Sequence, residues 1–429
     1  MDSIHIHGGV KLQGKVRIQG SKNAVLPILA ATILTKGNNF IENCPKLSDV
    51  DDMLSLITKV GCVVSRKGRG VQIDSTIITD EVIVQEEATK MRSSLCLIGV
   101  LIARNGRIRI SHPGGCCIGD RPIDLHLMAL RQMGVTFRED KNIIEGNVEK
   151  KLHGANIIMP MISVGATENV VMAATMAEGT TILDNAALEP EVEILCHYLV
   201  ACGAQIEGIG TKRLVIHGQS ELGGVHYRIP GDRIVAGTYL FACLAAGGDV
   251  LLEDAPLAHM QEVLTIARRL GAELQEEKNG LYVQAPEKIR MIPYLITQEY
   301  PNFPTDLQSV ILPVLSKGEG QCYIQENIFE NRFLVVPFLQ QMGANIFTLD
   351  NRRILLRGCG TFRGQTVIAQ ELRGGAALVI AGLMAEGETT VLGCHFIDRG
   401  YENISKDFME LGARIHRFET SFPVLAATK

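Results

Sequence analysis

The sequence has 429 residues, which is enough for two or three domains of about 150 residues each. Apolar residues make up 46% and charged residues 21%, a balance that favours a globular protein and excludes long disordered segments. The formal net charge of -5 argues against a general nucleic-acid binder and against a polybasic membrane binder. The sequence shows no signal-peptide pattern and no apolar run of ~18 residues, so we expect a soluble, cytoplasmic protein.

The cysteines and histidines carry no metal-binding pattern. There are eleven Cys and no C-x-x-C pair, which disfavours both a disulfide framework and a structural zinc site. No H-E-x-x-H or EF-hand pattern is present, and no G-x-G-x-x-G opens a helix. We therefore expect no metal and no organic cofactor.

In chain order, a strand-like alternation over the first ~20 residues is followed by six copies of one α/β unit. Each unit contains an apolar helix that ends in Gly before a short strand, since a helix end commonly needs a left-handed residue. These glycines are Gly61, Gly134, Gly203, Gly271, Gly343 and Gly412. A second helix, rich in Ala and Leu and also followed by Gly and a strand, lies within 21–37, 91–106, 163–179, 232–248, 304–318 and 372–387.

The repeat length decides the domain organisation. At roughly 70 residues, the unit is longer than solenoid repeats of about 20 to 50 residues. Six such units favour two globular domains of three units each. The division falls near Ile229-Pro230-Gly231, with 227–232 as a connection, and the N-terminal strands could pair with either domain.

The Gly-rich segment 112–122 is the densest chemical signal. Its Pro-Gly-Gly stretch breaks regular structure and places Cys116 on a loop, where Arg121 could favour the thiolate or bind an anion. The alternative is a turn with two incidental Cys.

Charged residues also interrupt the starts of the apolar helices. Lys22 follows Gly20-Ser21 at a helix start, where free amides suit a phosphate or a carboxylate. The alternative for Lys22 is a capped helix with an exposed lysine. Similar charges are Arg92, Asp232-Arg233, Asp306, Arg373 and Asp398-Arg399, each of which could instead be a cap or a surface ion pair.

Together these segments resemble the UDP-N-acetylglucosamine 1-carboxyvinyltransferase family of enolpyruvyl transferases. The matching motifs are spread in order over nearly the whole chain. They are Ser21-Lys22-Asn23-Ala24-Val25-Leu26-Pro27, Pro113-Gly114-Gly115-Cys116, 119–126, Ser163-Val164-Gly165-Ala166-Thr167, Phe303-Pro304-Thr305-Asp306, Glu330-Asn331-Arg332-Phe333 and 397–402.

The resemblance implies a fold and a domain division. The fold is α/β, with two inside-out α/β barrel domains of three βαβαββ-type units each, and with the active site in the cleft between the domains. The first domain is expected at 21–230 and the second at 1–20 plus 231–429. Closure of the cleft on substrate would exclude water.

The resemblance also implies the reaction, which is the first committed step of peptidoglycan synthesis. The enolpyruvyl group of phosphoenolpyruvate passes to the 3'-hydroxyl of UDP-N-acetylglucosamine, and phosphate is released. Cys116 matches the proton donor, Asp306 the acceptor of the hydroxyl proton, and Lys22 and Arg399 the catalytic cations. The positions that match substrate-binding residues are Lys22, Asn23, Arg92, Arg121, Pro122, Ile123, Asp124, Leu125, Ser163, Val164, Asp306, Ile328, Arg373 and Arg399.

Four positions depart from the family pattern. Glu371 stands where Asp is usual, and its longer side chain could still orient Arg373. Val235 replaces a usual acidic residue, while Cys117 and Asp120 replace small residues in the Gly-rich loop.

The departures at Glu371, Val235 and Asp120 leave one alternative open, a paralogue that binds UDP-sugar as a regulator without catalysis. Another is the shikimate-pathway enolpyruvyl transferase, which the Pro-Gly-Gly-Cys loop argues against. RNA-phosphate cyclase has related units but is not favoured by the motifs, and a repeat protein without a site would require every motif to be coincidental.

The retained Cys116 predicts sensitivity to the epoxide antibiotic fosfomycin, which alkylates the corresponding cysteine of the family. Incubation with fosfomycin and UDP-sugar is expected to raise the intact mass by one adduct. Cys116→Asp is expected to abolish the adduct while leaving some turnover. An unchanged mass in the wild-type protein would contradict the family assignment of this loop.

Overall fold

The computed structural model describes residues 2–79, 92–112, 119, 123–140 and 143–418. The chain divides into two units. The first unit comprises Gln19–Asp232 together with Gln298–Asn302. The second unit comprises Met1–Ile18, Arg233–Thr297 and Phe303–Lys429.

Six helices of the described chain form a buried set, three in each unit; the helix Pro190–Ala201 is also mostly buried, and the other helices are shorter or half-exposed. The buried set is made of the Ala- and Leu-rich segments found in the sequence. The helices are α1 Lys22–Ala31, α2 Ser48–Lys59, α3 Cys96–Asn105, α4 Asp124–Gln132, α5 Val164–Ala174, α6 Pro190–Ala201, α7 Arg233–Ala246, α8 Gln261–Arg269, α9 Gln308–Lys317, α10 Val336–Gln341, α11 Leu372–Met384, α12 Cys394–Ile397 and α13 Ile404–Glu410. The buried helices are α1, α3, α5, α7, α9 and α11.

The strands are short, and most alternate buried with exposed residues, as expected of sheets with one face on a core. In the first unit they are β3 Thr35–Lys36, β4 Asn38–Glu42, β5 Val63–Lys67, β6 Gly70–Asp74, β7 Arg107–Ser111, β8 Val135–Asp140, β9 Ile143–Val148, β10 Asn156–Ile158, β11 Thr180–Asp184, β12 Gln205–Glu207, β13 Arg213–His217, β14 Leu222–Gly223 and β15 His226–Arg228. In the second unit they are β1 Ser3–His7, β2 Leu12–Arg17, β16 Gly248–Glu253, β17 Glu273–Glu277, β18 Gly280–Gln284, β19 Tyr294–Thr297, β20 Gln321–Glu326, β21 Asn345–Asp350, β22 Arg353–Arg357, β23 Thr366–Ile368, β24 Glu388–Leu392 and β25 Arg414–Phe418.

One sheet pattern recurs through both units. In order β19-β20-β22-β21, the first two strands are parallel and the following pairs are antiparallel. The same pattern appears in β15-β4-β6-β5, β10-β11-β13-β12, β2-β16-β18-β17 and β23-β24-β1-β25. The three strands β7-β9-β8 keep its antiparallel part. Buried helices with sheets around them confirm the inside-out α/β arrangement that the family resemblance implies.

The N-terminal strands, which periodicity alone left unassigned, pair within the second unit. Strand β1 lies between β24 and β25, and β2 runs parallel to β16. The connection predicted at 227–232 is wrong at its start, because Tyr227 and Arg228 belong to β15 and pair with β4.

Each unit has its own aliphatic core, in agreement with the absence of Trp. The described cysteines are free, and nearly all are buried. Burial raises the pKa of Cys62 and Cys196 to about 12, so neither thiol is reactive near neutral pH. No helix in the described part of the chain combines the length and apolarity needed to cross a membrane.

Candidate active site

Most of the described site residues predicted from the sequence lie at helix starts, whereas Ile328 and Arg399 lie in loops. Three of the predicted site residues lie outside the described residues, namely Cys116, Arg121 and Pro122. Cys117 and Asp120, which depart from the family pattern, also lie outside them. The structure describes the remaining predicted residues.

Lys22 is the first residue of α1 and is nearly buried. Ser21 caps the helix by accepting a hydrogen bond from the Ala24 N–H at 3.4 Å. The Lys22 backbone N–H donates to Asp232 Oδ2 at 2.9 Å, and Lys22 Nζ lies 2.7 Å from Asp49 Oδ2. Because only 10% of the Lys22 side chain and 5% of the Asp49 side chain are exposed, Asp49 holds the ammonium at the helix start. The alternative of a capped helix with an exposed Lys22 is therefore wrong, although the neighbouring Asn23 is exposed.

A second cluster is organised by the buried His126. The Asn169 amide orientation is fixed because Asn169 Oδ1 accepts from the Gly99 N–H at 2.7 Å. Asn169 Nδ2 therefore donates to His126 Nδ1 at 2.9 Å, and this nitrogen must be unprotonated. Burial and the nearby positive charge of Arg92 lower the pKa of His126 to about 4. The ring is thus a neutral acceptor in the folded protein.

His126 joins the two segments expected to hold the UDP-sugar. It lies on α4, whose start carries Ile123, Asp124 and Leu125. A Cβ on Gly165 would lie 3.1 Å from His126 Cε1, so the ring packs closely against the first turn of α5. Ser163 caps that helix and Val164 opens it. The structure thus brings together 123–125 and 163–164 through a histidine that the sequence analysis had not assigned to the site.

In the second unit, Asp306 is held between two arginines. It lies in a 3-10 turn, Thr305–Leu307, that leads into α9. Arg332 Nη2 donates to Asp306 Oδ1, and Arg373 Nη2 donates to Asp306 Oδ2 at 2.9 Å. The side chains of Arg332 and Arg373 are only 2% and 3% exposed, whereas 26% of Asp306 is exposed. The two guanidinium groups stabilise the negative carboxylate. Its remaining lone pairs can accept a hydrogen bond from a hydroxyl group.

Glu371 links the same arginines to the start of α11. It occupies the N-cap and accepts from the backbone N–H groups of Arg373, at 2.8 Å, and Gly374. Its Oε2 also lies 3.4 Å from Arg332 Nη1. The extra methylene relative to Asp therefore lets one carboxylate cap the helix and contact Arg332. Glu371 contacts Arg373 at its backbone N–H and contacts the guanidinium of Arg332, so its role in orienting the Arg373 side chain stays a prediction.

Tyr401 supports the other face of Arg373. The Tyr401 hydroxyl accepts from Arg373 Nη1 at 3.4 Å and lies 2.9 Å from Thr238 Oγ1 on α7. The Arg373 guanidinium also lies 5.8 Å from the centroid of the Tyr401 ring. The Arg373 side chain is therefore held between two other parts of the second unit, Asp306 and Tyr401.

Arg399 is half-buried in the turn after α12. The preceding Asp398 is bound by both terminal nitrogens of Arg417 on β25, at 2.5 and 2.8 Å. A Cβ on the following Gly400 would lie 2.7 Å from Leu372 Cδ2, so only glycine fits there without movement. The residues on both sides of Arg399 are thus closely restrained.

The departure at Val235 has a packing explanation. Val235 is fully buried in α7, among the apolar residues of the second core. An acidic side chain at this position would need a charged or hydrogen-bonding partner inside that core. The valine therefore serves packing in this chain.

Sequence reasoning missed four contributors to these clusters: Asp49, His126, Asn169 and Arg332. Two of them, His126 and Arg332, lay within recognised motifs but were not assigned a role. A single sequence does not distinguish a buried charged side chain from an exposed one, and this is the property that makes these residues important.

The buried neutral His126 predicts a pH-dependent stability. Below pH 6.5 the unfolded chain binds a proton at this side chain, whereas the folded protein does so only near pH 4. The free energy of unfolding should therefore fall as the pH falls through this window, by about 3 kcal/mol at ~1.4 kcal/mol per pKa unit. His126→Gln, which can still accept from Asn169, should lack this part of the slope.

Urea denaturation between pH 4 and 7 measures this slope. The matched control is His197→Gln, since His197 is exposed on α6 and its replacement should leave the slope unchanged. Equal slopes for wild-type protein and His126→Gln would contradict the assignment.

Comparison with known sequences places these clusters in context. The sequence profile described as EPSP synthase (3-phosphoshikimate 1-carboxyvinyltransferase) matches residues 6–408. A protein of Caldanaerobacter subterraneus named UDP-N-acetylglucosamine 1-carboxyvinyltransferase 2 is 43% identical over 97% of this chain and 100% of its own. A Granulibacter bethesdensis protein named UDP-N-acetylglucosamine 1-carboxyvinyltransferase is 42% identical, with coverage of 97% and 99%.

Solved structures share the fold at lower identity. The enolpyruvyl transferase NikO from Streptomyces tendae superimposes with a TM-score of 0.88 at 23% identity, covering 97% of this chain and 98% of its own. EPSP synthase from Acinetobacter baumannii gives a TM-score of 0.76 at 18% identity, with coverage of 98% and 100%.

Proposed function

Because the chain belongs to the EPSP synthase family of carboxyvinyltransferases, we propose that it transfers the enolpyruvyl group of phosphoenolpyruvate to the 3'-hydroxyl of UDP-N-acetylglucosamine. Phosphate is the second product, and the enzyme is a transferase of peptidoglycan synthesis. The observation that carries the choice of substrate is the 43% identity, over nearly the full length of both chains, to a protein of that name. The Asp306 cluster supports the chemistry.

The first chemical step is an addition to the double bond of phosphoenolpyruvate. The sugar hydroxyl oxygen bonds to C2 as its proton passes to Asp306, and C3 takes a proton from the Cys116 thiol. The product is a tetrahedral ketal, which then loses phosphate from C2 and a proton from C3, so that the double bond forms again in the enolpyruvyl product. In this proposal the exposed edge of Asp306 receives the proton, and the two buried arginines behind it fix the position of the carboxylate.

Binding of phosphoenolpyruvate needs several positive groups, because the substrate carries both a carboxylate and a phosphate. In this proposal Lys22, Arg121 and Arg399 bind it, with Arg92 and Arg373 nearby. Arg373 also holds Asp306, so the same guanidinium couples anion binding to the position of the base. Asp49 holds the Lys22 ammonium at the start of α1 before the substrate arrives.

The predicted residues assigned to UDP-sugar binding include Arg121 and Asp306, which also have the roles given above. The full set is Asn23, 121–125, Ser163, Val164, Asp306 and Ile328. The close packing of His126 on the first turn of α5 supports a shared role for 123–125 and 163–164. The chemistry requires neither a metal nor an organic cofactor, and the proposed location is the cytoplasm, where the product would serve cell-wall growth, cell shape and division.

The shikimate-pathway reaction is the second candidate, because the matching family profile is described by that activity. The acceptor separates the two. Phosphate release from phosphoenolpyruvate is measured with UDP-N-acetylglucosamine, with 3-phosphoshikimate and with no acceptor. We expect release only with the sugar nucleotide, and its loss in Cys116→Ala.

Other outcomes of this assay have definite meanings. Release with 3-phosphoshikimate alone would replace the proposed acceptor with the second candidate. Binding of the UDP-sugar without any release would indicate the non-catalytic paralogue.

Arg332 provides a test of the Asp306 cluster. Arg332→Lys keeps the positive charge but cannot reach Asp306, Glu371 and the Thr305 carbonyl together. We expect kcat to fall ~10- to 100-fold, the effect of losing charge-assisted hydrogen bonds worth about 1.5–3 kcal/mol. The matched control is Arg353→Lys, since Arg353 pairs with Asp350 at the surface of the same unit. An unchanged kcat in Arg332→Lys would show that the arginine does not support the base.

A further inference from the structure

Glu326 is a buried carboxylate that neither the sequence motifs nor the proposed chemistry uses. It ends strand β20 and is 0% exposed. Burial of a carboxylate is costly unless its oxygens accept hydrogen bonds, so its partners should reveal its purpose.

Those partners lie on two segments that carry proposed substrate contacts. Glu326 Oε2 accepts from the Thr305 hydroxyl at 3.0 Å. Glu326 Oε1 accepts from the backbone N–H groups of Ile328, at 2.8 Å, and Phe329, at 3.1 Å. Thr305 directly precedes the proposed base Asp306, and Ile328 is a proposed UDP-sugar contact. One side chain thus joins the base turn to the sugar-binding loop.

The surrounding contacts make this joint rigid. Thr297 is paired with Glu326 across β19 and β20, and its hydroxyl accepts from the Asn327 N–H at 3.1 Å. On the other side, the Thr305 carbonyl accepts from Arg332 Nε at 3.3 Å. Thr305 is therefore held through its hydroxyl by Glu326 and through its carbonyl by the arginine that also binds Asp306.

We propose that Glu326 is a positioning residue of the transferase, setting the place of Asp306 through Thr305 and that of the UDP-sugar through the amides of Ile328 and Phe329. This inference rests on the proposed function. A carboxylate suits the task because it has only acceptors, and each of the three groups it faces is a donor. An amide in its place could keep these contacts only with its nitrogen toward the Thr305 hydroxyl, and its neutral oxygen would bind the two backbone N–H groups more weakly than a carboxylate does.

The two halves of this role predict different kinetic effects. Thr305→Val removes only the link to the base turn, so kcat should fall about 10-fold while KM for UDP-N-acetylglucosamine stays within about twofold. Thr305→Ser restores the hydroxyl and should recover most of that loss. Glu326→Gln disturbs both links, and should lower kcat and raise this KM by about 5-fold or more.

The matched control is Thr389→Val, the same substitution at a fully buried threonine elsewhere in the second unit, on β24. Its kinetic constants should equal those of the wild type. Thermal unfolding of every variant accompanies the kinetics. If Glu326→Gln does not fold, the comparison of Thr305→Val, Thr305→Ser and Thr389→Val still decides the matter.

The outcomes separate this inference from the function on which it rests. Lack of phosphate release by the wild-type protein with phosphoenolpyruvate and UDP-N-acetylglucosamine would overturn the proposed function and this role together. Wild-type turnover with equal kcat in Thr305→Val and Thr389→Val would overturn the role of Glu326 alone. Equal losses in Thr305→Val and Thr305→Ser would also overturn it, because the hydroxyl would then not be the group that matters.

Discussion

A helix whose sides are buried can present charge only at its ends, and this constraint governs where the polar chemistry of the chain lies. Three such helices lie in each unit. Five of the six are led by a residue assigned to substrate, at or just before the first turn: Lys22 for α1, Arg92 for α3, Ser163 for α5, Asp306 for α9 and Arg373 for α11. The sixth, α7, is preceded by Asp232, which accepts from the backbone of Lys22. Helix starts also offer unpaired N–H groups, which suit an anionic substrate.

A charged side chain at the start of a buried helix is partly buried, so it needs a partner of opposite charge or a hydrogen bond. Asp306, Arg332, Arg373 and Glu371 form one connected set in which every carboxylate faces a guanidinium or a helix amide. Removing one member of such a set leaves its partner buried without its counter-charge, which is more damaging than the loss of the contact itself. The set thereby restricts each side chain to one position. Positional accuracy is what a proton acceptor needs, since catalysis depends on the distance to the reacting group.

The repeats explain why the fold could be predicted well from the sequence. Six glycine-ended helices and six Ala- and Leu-rich helices are strong periodic signals, and the structure contains the corresponding sheets. The pairing of β1 with β24 and β25 could not be predicted from periodicity, because alternation shows that a strand exists and does not identify its partner. Among site residues, Lys22, Asp306 and Arg373 stood out because charge interrupts an apolar run. Glu326 did not stand out, because a strand sequence that ends in Glu is typical of strands whose ends are exposed to solvent. Its importance depends on burial and on two loops that come close only in the folded chain.

The place of β1 in its sheet has a consequence for biosynthesis. Among the described strands this one is made first, yet it occupies an inner position between β24 and β25, and β25 is the last described strand to be made. Apart from Gln298–Asn302, the first unit is complete once Asp232 has left the ribosome, so nearly all of it can fold while translation continues. In the second unit β2 can pair as soon as β16 is made, whereas β1 stays unpaired until β24 and β25 have emerged. During that interval β1 presents open backbone edges, to which strands of other chains can pair.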